Sequence, residues 1–508
     1  MPRSAVLGMD GGRFYFGARR VFDGVSFLLD DARTALVGEN GAGKSTLIKC
    51  LTGELELNAG KVPRSRGLRI GVLPQEIPEA LDVLSVRQVL DRSLERVGAL
   101  GEDWRIDILL GEIGLDAEAA RGDFGALSGG WRRLVLIAAA ARLEEPDILI
   151  LDEPTNHLDV ANINTLERWL LQEISVPMLI VSHDREFLNH VTSRTLFLRS
   201  DGIHAFKAPF AVAREELIRR DLAAASRRKL EEKEIRRLEK VAARYHLWGV
   251  KNPAFHKRQR ATETRILHIE AAKTQVYSAR DRRLELSDAE IEAKVAVRVE
   301  NLEVTAPQGR RLFTIDRLAI AAGDRIAILG VNGAGKSTLL STLAGAWDPS
   351  QRHYDGKAPV RFNPACKLAW FDQSMSELPL SMSPLDYLIG ADGATRKDAT
   401  RLLAQAGFAF ARIDDPISLL SHGERSRLMF LKMKLQRPNL YLLDEPTSHL
   451  DIEGQEDLEA QLEETEVSCL FVSHDRYFTR TAATRFLEIR KGRVAEIDGA
   501  DEFFDAQT

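Results

Sequence analysis

Two glycine-rich segments have the residue types and spacing of a loop that binds the phosphates of a nucleotide. Residues 38–46 read Gly-Glu-Asn-Gly-Ala-Gly-Lys-Ser-Thr, and residues 330–338 read Gly-Val-Asn-Gly-Ala-Gly-Lys-Ser-Thr. We name them phosphate loop 1 and phosphate loop 2. In this pattern glycines let backbone N–H groups converge on phosphate oxygens at a helix N-terminus, where the helix dipole favours anions. The lysine would reach the β- and γ-phosphates, and the following serine would offer a hydroxyl to Mg²⁺.

An acidic pair follows a continuous apolar run downstream of each phosphate loop. Asp152-Glu153 comes after residues 148–151, and Asp444-Glu445 comes after residues 440–443. A carboxylate at the end of a strand can approach Mg²⁺ through water, which assigns Asp152 and Asp444 to the metal. Because hydrolysis needs a base near the terminal phosphate, Glu153 and Glu445 are the candidates to polarise the attacking water.

These segments belong to an internal repeat. The phosphate loop and the acidic segment both recur at an offset of 292 residues, and Val-Ser-His-Asp-Arg at 181–185 returns at 472–476. Such self-similarity predicts two copies of one domain of about 210 residues, which we place at 1–208 and 295–508. Residues 209–294 have no counterpart in either copy and are predicted to be a separate linker.

The elements that must position these residues can be predicted in each copy. A short apolar run, 34–37 or 325–329, ends at a glycine before the phosphate loop, and a helical pattern follows the loop. The continuous apolar runs before the acidic pairs are typical of strands buried on both faces of a parallel sheet. The sequence therefore predicts an α/β fold with a strand, a glycine turn and a helix around each loop.

The ordered motifs of each copy resemble those of an ATP-binding cassette. Besides the loop and the acidic pair, this resemblance rests on a glutamine, a signature segment and a histidine. In the first copy these are Gln75, residues 127–131 (Leu-Ser-Gly-Gly-Trp) and His183; in the second they are Gln373, residues 420–424 (Leu-Ser-His-Gly-Glu) and His474. Two such cassettes on one chain, joined by a charged helical segment and each carrying Asp-Glu-Pro-Thr-(Asn/Ser)-His-Leu-Asp, resemble the ABC-F family of ribosome-associated ATPases. We name the copies cassette 1 and cassette 2, and the signature segments signature 1 and signature 2.

The resemblance implies that ATP and Mg²⁺ bind in two composite sites, each between one cassette's phosphate loop and the other's signature. The serine, glutamine and aspartate would hold Mg²⁺, and the glutamate and histidine would act in catalysis. Site 1 would comprise Phe16, Gly38, Asn40, Gly41, Gly43, Lys44, Ser45, Thr46, Gln75, Asp152, Glu153 and His183 with Ser421, His422 and Gly423. Site 2 would comprise Gly330, Asn332, Gly333, Gly335, Lys336, Ser337, Thr338, Gln373, Asp444, Glu445 and His474 with Ser128, Gly129 and Gly130.

Two departures from the family pattern predict that the sites differ in affinity or turnover. In signature 2, His422 stands where the family usually has its first glycine, and its side chain would either crowd the phosphate or donate a hydrogen bond to it. Phe16 fits the family's adenine-stacking aromatic, with packing in the core as the alternative. The corresponding residues 306–310 of cassette 2 read Ala-Pro-Gln-Gly-Arg and contain no aromatic.

The linker is predicted to form an antiparallel helical hairpin. Residues 211–247 are dense in Arg, Lys, Glu and Ala without Pro or Gly, and Leu238, Val241, Tyr245 and Trp248 form an apolar stripe. A Gly-Val-Lys-Asn-Pro break at 249–253 precedes a second helical stretch to about Arg283, with Ile266, Ile269 and Val276 as candidate seam residues. At 1.5 Å per residue, each arm would be about 45–55 Å long.

The linker hairpin is the basic part of an otherwise acidic protein, and its tip, between Glu239 and Glu263, contains no acidic residue. The whole chain has 70 Lys and Arg against 75 Asp and Glu, a formal net charge of −5, whereas residues 214–283 carry +10 and the remainder −15. Cations interleaved with flat rings favour RNA, although a solvated coiled coil with aromatics packing its turn is the alternative. The residues predicted to contact RNA are Lys240, Arg244, Trp248, Lys251, Phe255, His256, Lys257, Arg258 and Arg260.

The leading hypothesis is an ATP-gated translation factor. The family resemblance implies that the linker reaches P-site tRNA and the peptidyl-transferase region of the ribosome, with cassette pairing inside a monomer. Alternatives are an antibiotic-resistance factor of the same family, a DNA-acting ABC-F ATPase and the ATPase subunit of a transporter. The last would need a transmembrane partner, which we do not expect. Without an apolar run of about 20 residues or paired cysteines, we expect a cytoplasmic protein.

Overall fold

The structure is a computed structural model of the 508-residue chain. It describes all residues except 1–6, 18, 31, 74–76, 117, 157, 250–251, 253, 275, 278–283, 285, 287–294, 349–357, 377, 391–393, 449 and 507–508, and at position 249 it describes only the backbone. Two predicted site residues, Gln75 and Lys251, lie outside the described residues. No helix in the described ranges is both long and apolar enough to cross a membrane.

Cassette 1 combines a parallel sheet with a smaller antiparallel sheet. Its strands are β1 Leu7–Phe16, β2 Arg19–Leu29, β3 Arg33–Val37, β4 Ala59–Lys61, β5 Ile70–Leu73, β6 Ile148–Asp152, β7 Met178–Val181, β8 Arg194–Arg199 and β9 Gly202–Phe206. Its helices are α1 Lys44–Thr52, α2 Val86–Arg96, α3 Asp103–Ile113, α4 Gly129–Ala138, α5 Val160–Gln172 and α6 Arg185–Val191. The order β5-β6-β7-β3-β8-β9 forms one sheet, parallel except at β9, and β2-β1-β4 forms the other.

The linker contributes two helices, α7 Phe210–Gly249 and α8 Ala254–Ala271. Helix α8 ends about twelve residues before the predicted position, so the expected length of the second arm is wrong: 18 residues give about 27 Å. Val276 lies beyond the helix and is exposed rather than in a seam. The shorter arm has a physical cause: Thr274 donates its backbone N–H and its hydroxyl to Glu231 of α7, which holds the chain outside the helix.

Cassette 2 repeats the architecture in one continuous sheet. Its strands are β10 Val295–Thr305, β11 Arg311–Ala321, β12 Arg325–Leu329, β13 Val360–Phe362, β14 Leu368–Phe371, β15 Leu440–Asp444, β16 Ser468–Val472, β17 Arg485–Arg490 and β18 Arg493–Ile497. Its helices are α9 Lys336–Gly345, α10 Pro384–Ile389, α11 Arg396–Gln405, α12 His422–Gln436, α13 Ile452–Glu464, α14 Arg476–Ala482 and α15 Ala500–Ala506. The parallel order β14-β15-β16-β12-β17 matches β5-β6-β7-β3-β8, so the predicted α/β fold is confirmed.

The predicted buried strands, β6 and β15, each lie one strand in from an edge of their sheet. Every residue of β6 and of β15 is buried, as continuous apolar sequence requires of a strand covered on both faces. Two of the apolar clusters contain residues from both cassettes, and one of them also includes the linker helix α7. Ile452 of α13 packs into the core that holds Phe210 and Leu217 of α7, and Val160 of α5 packs with Phe503 of α15. Burial of these side chains joins the two cassettes and the root of the linker.

Candidate nucleotide sites and linker tip

Both phosphate loops have backbone geometry that only glycine permits. Gly43 and Gly335 each have φ of 98°, and a Cβ there would lie 2.4 Å from Val21 and 2.7 Å from Leu312. Each glycine is the N-cap of the following helix without a side-chain cap. The first-turn N–H groups of α1 and α9, which carry Ser45, Thr46, Ser337 and Thr338, therefore point into the loops as donors for an anion.

The loop lysines lie against the backbone of their own loops. Lys44 Nζ donates to Gly38 O at 2.6 Å, and Lys336 Nζ donates to Gly330 O at 2.7 Å. Burial lowers the pKa of both lysines, and carboxylates of both cassettes oppose this shift. The contributing carboxylates include Asp451 of cassette 2 at Lys44 and Asp159 of cassette 1 at Lys336, so each lysine lies near the opposite cassette.

The predicted metal residues meet at the carboxyl ends of the parallel strands. Ser337 Oγ donates to Asp444 Oδ1 at 3.0 Å, and Ser45 forms the same bond with Asp152. Burial raises the pKa of Asp444 to about 6. No cluster of three or more metal-ligating side chains exists among the described residues. One carboxylate and one hydroxyl, completed by phosphate and water oxygens, is the donor set that Mg²⁺ uses in nucleotide sites, so the residues fit it.

Each candidate glutamate contacts the predicted histidine of its own cassette. Glu153 Oε1 lies 3.1 Å from His183 Nε2, and Glu445 Oε1 lies 3.5 Å from His474 Nε2. The other oxygen of each glutamate accepts the histidine backbone N–H, at 3.2 and 3.1 Å. Burial lowers the pKa of His183 to about 3 and of His474 to about 4, and it raises the pKa of Glu445 to about 7. Both imidazoles are therefore neutral at physiological pH.

Signature 1 lies opposite phosphate loop 2. Ser128, Gly129 and Gly130 line a cleft of about 590 Å³ whose far wall includes Asn332 of the loop. Ser128 is the N-cap of α4, and its Oγ accepts the N–H of Trp131 at 3.3 Å. The N-terminus of this helix and the glycine backbone therefore face the loop from the other cassette, in the head-to-tail placement that the resemblance implies for site 2.

Contacts at site 1 also cross between the cassettes. Asp451, the N-cap of α13, accepts the backbone N–H of Asn40 in phosphate loop 1 at 2.9 Å. Burial alone would raise the pKa of Asp451, but hydrogen bonds from the N–H groups of Asn40 and Gly454 lower it. Arg427, which donates to Gly423 O of signature 2 at 3.2 Å, makes a smaller contribution in the same direction. Asp451 of cassette 2 therefore contacts phosphate loop 1 directly, and Arg427 of the helix that begins at signature 2 lies near Asp451. Ser421 caps α12 in a capping box with Glu424, and His422 is exposed.

The remaining predicted nucleotide residues lie at the edges of the sites. Phe16 is 55% exposed at the end of β1 and packs edge-on against Phe14, with ring centroids 5.0 Å apart. This exposure favours a stacking platform over core packing. Gln373 is exposed in the turn that follows β14, next to the strand that ends at Asp444.

A pair of buried arginines between the cassettes was missed from the sequence. Arg185 donates to Glu459 of α13 at 3.0 Å and through a second bond, and Arg476 donates to Asn164 of α5 at 2.8 Å and to Glu167. All are buried. The repeated Asp-Arg after each histidine was a signal, but the partners lie on the other cassette, which the linear sequence does not reveal.

The hairpin tip combines packed aromatics with exposed cations. Phe255 packs between Tyr245 and Trp248, with centroid distances of 5.9 and 5.4 Å. Tyr245 and Phe255 therefore pack the turn of the hairpin, as the alternative to RNA contact predicts. Trp248 keeps 48% of its surface exposed. The other described tip residues with predicted RNA contacts are all exposed, namely Lys240, Arg244, His256, Lys257, Arg258 and Arg260.

Comparison with known proteins agrees with this geometry. The sequence matches the ABC transporter family model twice, over residues 22–156 and 314–448. The RNase-L Inhibitor has a TM-score of 0.64 at 21% identity over 98% of this chain and 92% of its own. The archaeal ribosome recycling factor aABCE1, solved in complex with ribosomal stalk protein aP1, has a TM-score of 0.63 at 20% identity over 98% and 91%. These likenesses concern the fold, which defines the protein as a tandem ATP-binding-cassette protein.

Relatives of similar sequence show which family of tandem ATP-binding-cassette proteins the chain belongs to. Probable ATP-binding protein YbiT of Escherichia coli O157:H7 is 30% identical over 95% of this chain and 96% of its own length. ATP-binding protein Uup of Caulobacter vibrioides is 32% identical over 98% and 79%, and ABC transporter F family member 2 of Arabidopsis thaliana is 28% identical over 95% and 77%. The chain belongs to the ABC-F family, and its cassettes are ATP-binding domains.

Proposed function

We propose that this protein is a Mg²⁺-dependent ATPase in which two ATP molecules close the cassettes and thereby position the linker hairpin against ribosomal RNA and P-site tRNA. The observation that carries the proposal is the exposed group of cations at the tip of a hairpin whose root packs against both cassettes. Arg214 of α7 donates to Glu456 of α13 at 2.7 Å, while Leu217 of the same helix lies in the core of cassette 1. Movement of the cassettes would therefore move the hairpin.

The residues at each site fit hydrolysis with separate roles. Lys44 and Lys336 offset phosphate charge, and the serine and glycine donors of the opposite signature complete the shell around the γ-phosphate. Glu153 and Glu445 accept a proton from the attacking water, and the neutral histidine holds the glutamate in place. Oε2 of Glu445 accepts the backbone N–H of His474, whereas Oε1, 3.5 Å from His474 Nε2, forms no hydrogen bond among the described residues and is left as an acceptor for water. Mg²⁺, when bound, would neutralise charge on the phosphate oxygens.

The tip fits RNA better than a protein surface. Its exposed cations suit phosphates, and Trp248 offers a ring face to an unstacked base. DNA is the alternative ligand of the same chemistry. A resistance role would use the same machinery with the tip displacing a drug, and growth of a deletion strain on ribosome-targeting antibiotics would separate the two roles.

Ribosome co-sedimentation tests the proposal. The Glu153→Gln/Glu445→Gln double variant retains ATP binding but loses the catalytic bases, so with ATP we expect it to sediment with ribosomes. The matched control is the same variant carrying Lys44→Ala and Lys336→Ala, which cannot hold the phosphates and should stay in the supernatant. If the trapped form stays in the supernatant with its hairpin intact, the ribosome function is wrong.

A further inference from the structure

The segment that returns from the hairpin is bonded to phosphate loop 1. The hydroxyl of Tyr277, six residues after α8 ends, donates to Glu39, which follows the first glycine of the loop. The guanidinium of Arg199 lies 3.2 Å from the centroid of the Tyr277 ring on its face. The ring lines a small cavity together with Gly38, Asp451 and Glu453, so it sits between the loop and cassette 2.

The same contact reaches the outgoing helix of the hairpin. Arg199 forms a bidentate ion pair with Asp221 of α7, at 2.7 and 3.1 Å. Thus Glu39, Tyr277, Arg199 and Asp221 form a continuous chain from the phosphate loop to α7. Burial raises the pKa of Tyr277, so its hydroxyl remains a donor at physiological pH. Both ends of the hairpin are tied to one loop through one tyrosine.

Among the described residues, phosphate loop 2 has no equivalent contact with the linker. Val331 occupies the position of Glu39 and is 53% exposed. The cavity at the corresponding place is lined by Asp159, Val160, Phe503 and Phe504, and no linker residue from the described part of the chain lines it. Valine has no acceptor for a tyrosine hydroxyl, so this difference is built into the two loop sequences.

We infer that Tyr277 and Glu39 transmit the conformation of phosphate loop 1, but not that of loop 2, to both ends of the hairpin. Tyr277 is a positioning residue: its hydroxyl donates to Glu39, which is not one of the predicted ATP-binding residues, and it acts through the loop. When the loop moves, the hydrogen bond carries the return segment with it, and Arg199 carries α7. This inference rests on the proposed ATP-driven positioning of the hairpin.

Distance measurement between spin labels tests the coupling without ribosomes. Labels are attached at Ala243→Cys on α7 and Ala495→Cys on β18, since both sites are exposed and the native cysteines are buried. In the Glu153→Gln/Glu445→Gln background, ATP should shift the distance distribution. Tyr277→Phe keeps the ring on Arg199 but removes the hydroxyl. It should reduce the ratio of the shifted to the unshifted distance population with ATP about tenfold, because losing a hydrogen bond to a charged group has an effect of about this size. Glu39→Val should do the same.

Two controls separate coupling from loss of folding. Glu39→Gln keeps an acceptor oxygen and should retain the shift, and Val331→Ala in loop 2 should leave it unchanged. An equal shift in all variants would overturn the inference and leave ATP-driven positioning intact. If ATP causes no shift even without these substitutions, both the coupling through Tyr277 and the ATP-driven positioning of the hairpin are wrong. Ribosome binding is measured separately, by sedimentation, and does not depend on either result.

Discussion

At the scale of single residues, the two candidate bases are held in backbone conformations that side chains other than glycine rarely adopt. Glu153 and Glu445 have φ of 51° and 50°. Such strain costs on the order of 1–3 kcal/mol and persists only where the surroundings impose it. Here the backbone N–H of each glutamate donates to the end of the neighbouring strand, to Val181 O at 2.8 Å and Val472 O at 2.9 Å. The bend turns each carboxylate towards its histidine.

The two bases should not contribute equally to turnover. The signature donors are predicted to act on the γ-phosphate, and signature 1, proposed to serve site 2, has both glycines, whereas signature 2 has His422 in place of the first. The aromatic predicted to stack on adenine, Phe16, is expected to act on affinity, and it belongs to site 1. Glu445→Gln should therefore remove more of the single-turnover rate at saturating ATP than Glu153→Gln does. Rapid-quench measurement of both variants checks this, and equal residual rates would contradict the inequivalence of the sites.

Phe16 should contribute affinity rather than rate. Stacking of a base on an aromatic ring is worth about 1–3 kcal/mol, so Phe16→Ala should weaken ATP binding at site 1 by about 5- to 150-fold. Titration with a fluorescent ATP analogue, in a protein whose site 2 carries Lys336→Ala, measures this. Phe16→Trp should restore binding, and Tyr15→Phe at the neighbouring position should leave it intact. If Phe16→Ala leaves the ATP affinity of site 1 unchanged, Phe16 serves in packing and not in stacking on the base.

At the scale of elements, α6 and α14 each insert an arginine beside a helix of the other cassette. Removing one partner of a buried ion pair costs about 3–5 kcal/mol, because the remaining charge stays desolvated. Arg476→Ala, which leaves Glu167 and Asp184 without this cation, should lower the free energy of unfolding by about that amount. Denaturant titration measures it.

The matched control is an exposed arginine. Arg219 pairs with Glu215 one turn earlier on α7, with both side chains about three-quarters exposed, and Arg219→Ala should cost about 0–1 kcal/mol. A cost for Arg476→Ala as small as that of Arg219→Ala would show that the buried network does not hold the cassettes together.

The elements also show what could be predicted from sequence. The loop, acidic and signature motifs depend on local spacing within a repeat, so the sequence predicts the strand, turn and helix around Lys44 and Lys336. The end of α8 depends on Thr274 meeting Glu231 across 43 residues, and the partners of Arg185 lie more than 270 residues away. Such contacts arise only when distant elements meet, which no local pattern encodes.

At the scale of the whole molecule, the charge separation predicts how the protein meets its ligand. The acidic cassettes repel a polyanion, so approach through the hairpin tip is favoured. Replacing Lys257, Arg258 and Arg260 with alanine should weaken ATP-dependent ribosome binding. Each lost phosphate contact should also lower the slope of log affinity against log salt by about one. Sedimentation at several salt concentrations measures both quantities, and basal ATPase activity should not change.

The matched control removes the same charge from the shaft of α7. Alanine at Arg219, Arg220 and Arg237, which are exposed and paired with glutamates of the same helix, changes the net charge equally but spares the tip. Because a general electrostatic attraction depends on total charge, it would weaken both triple variants alike. A contact at the tip weakens only the first, since phosphates at the ribosomal surface would meet Lys257, Arg258 and Arg260 and not the shaft. Equal affinities of both variants and the unsubstituted protein would reject the tip as the contact.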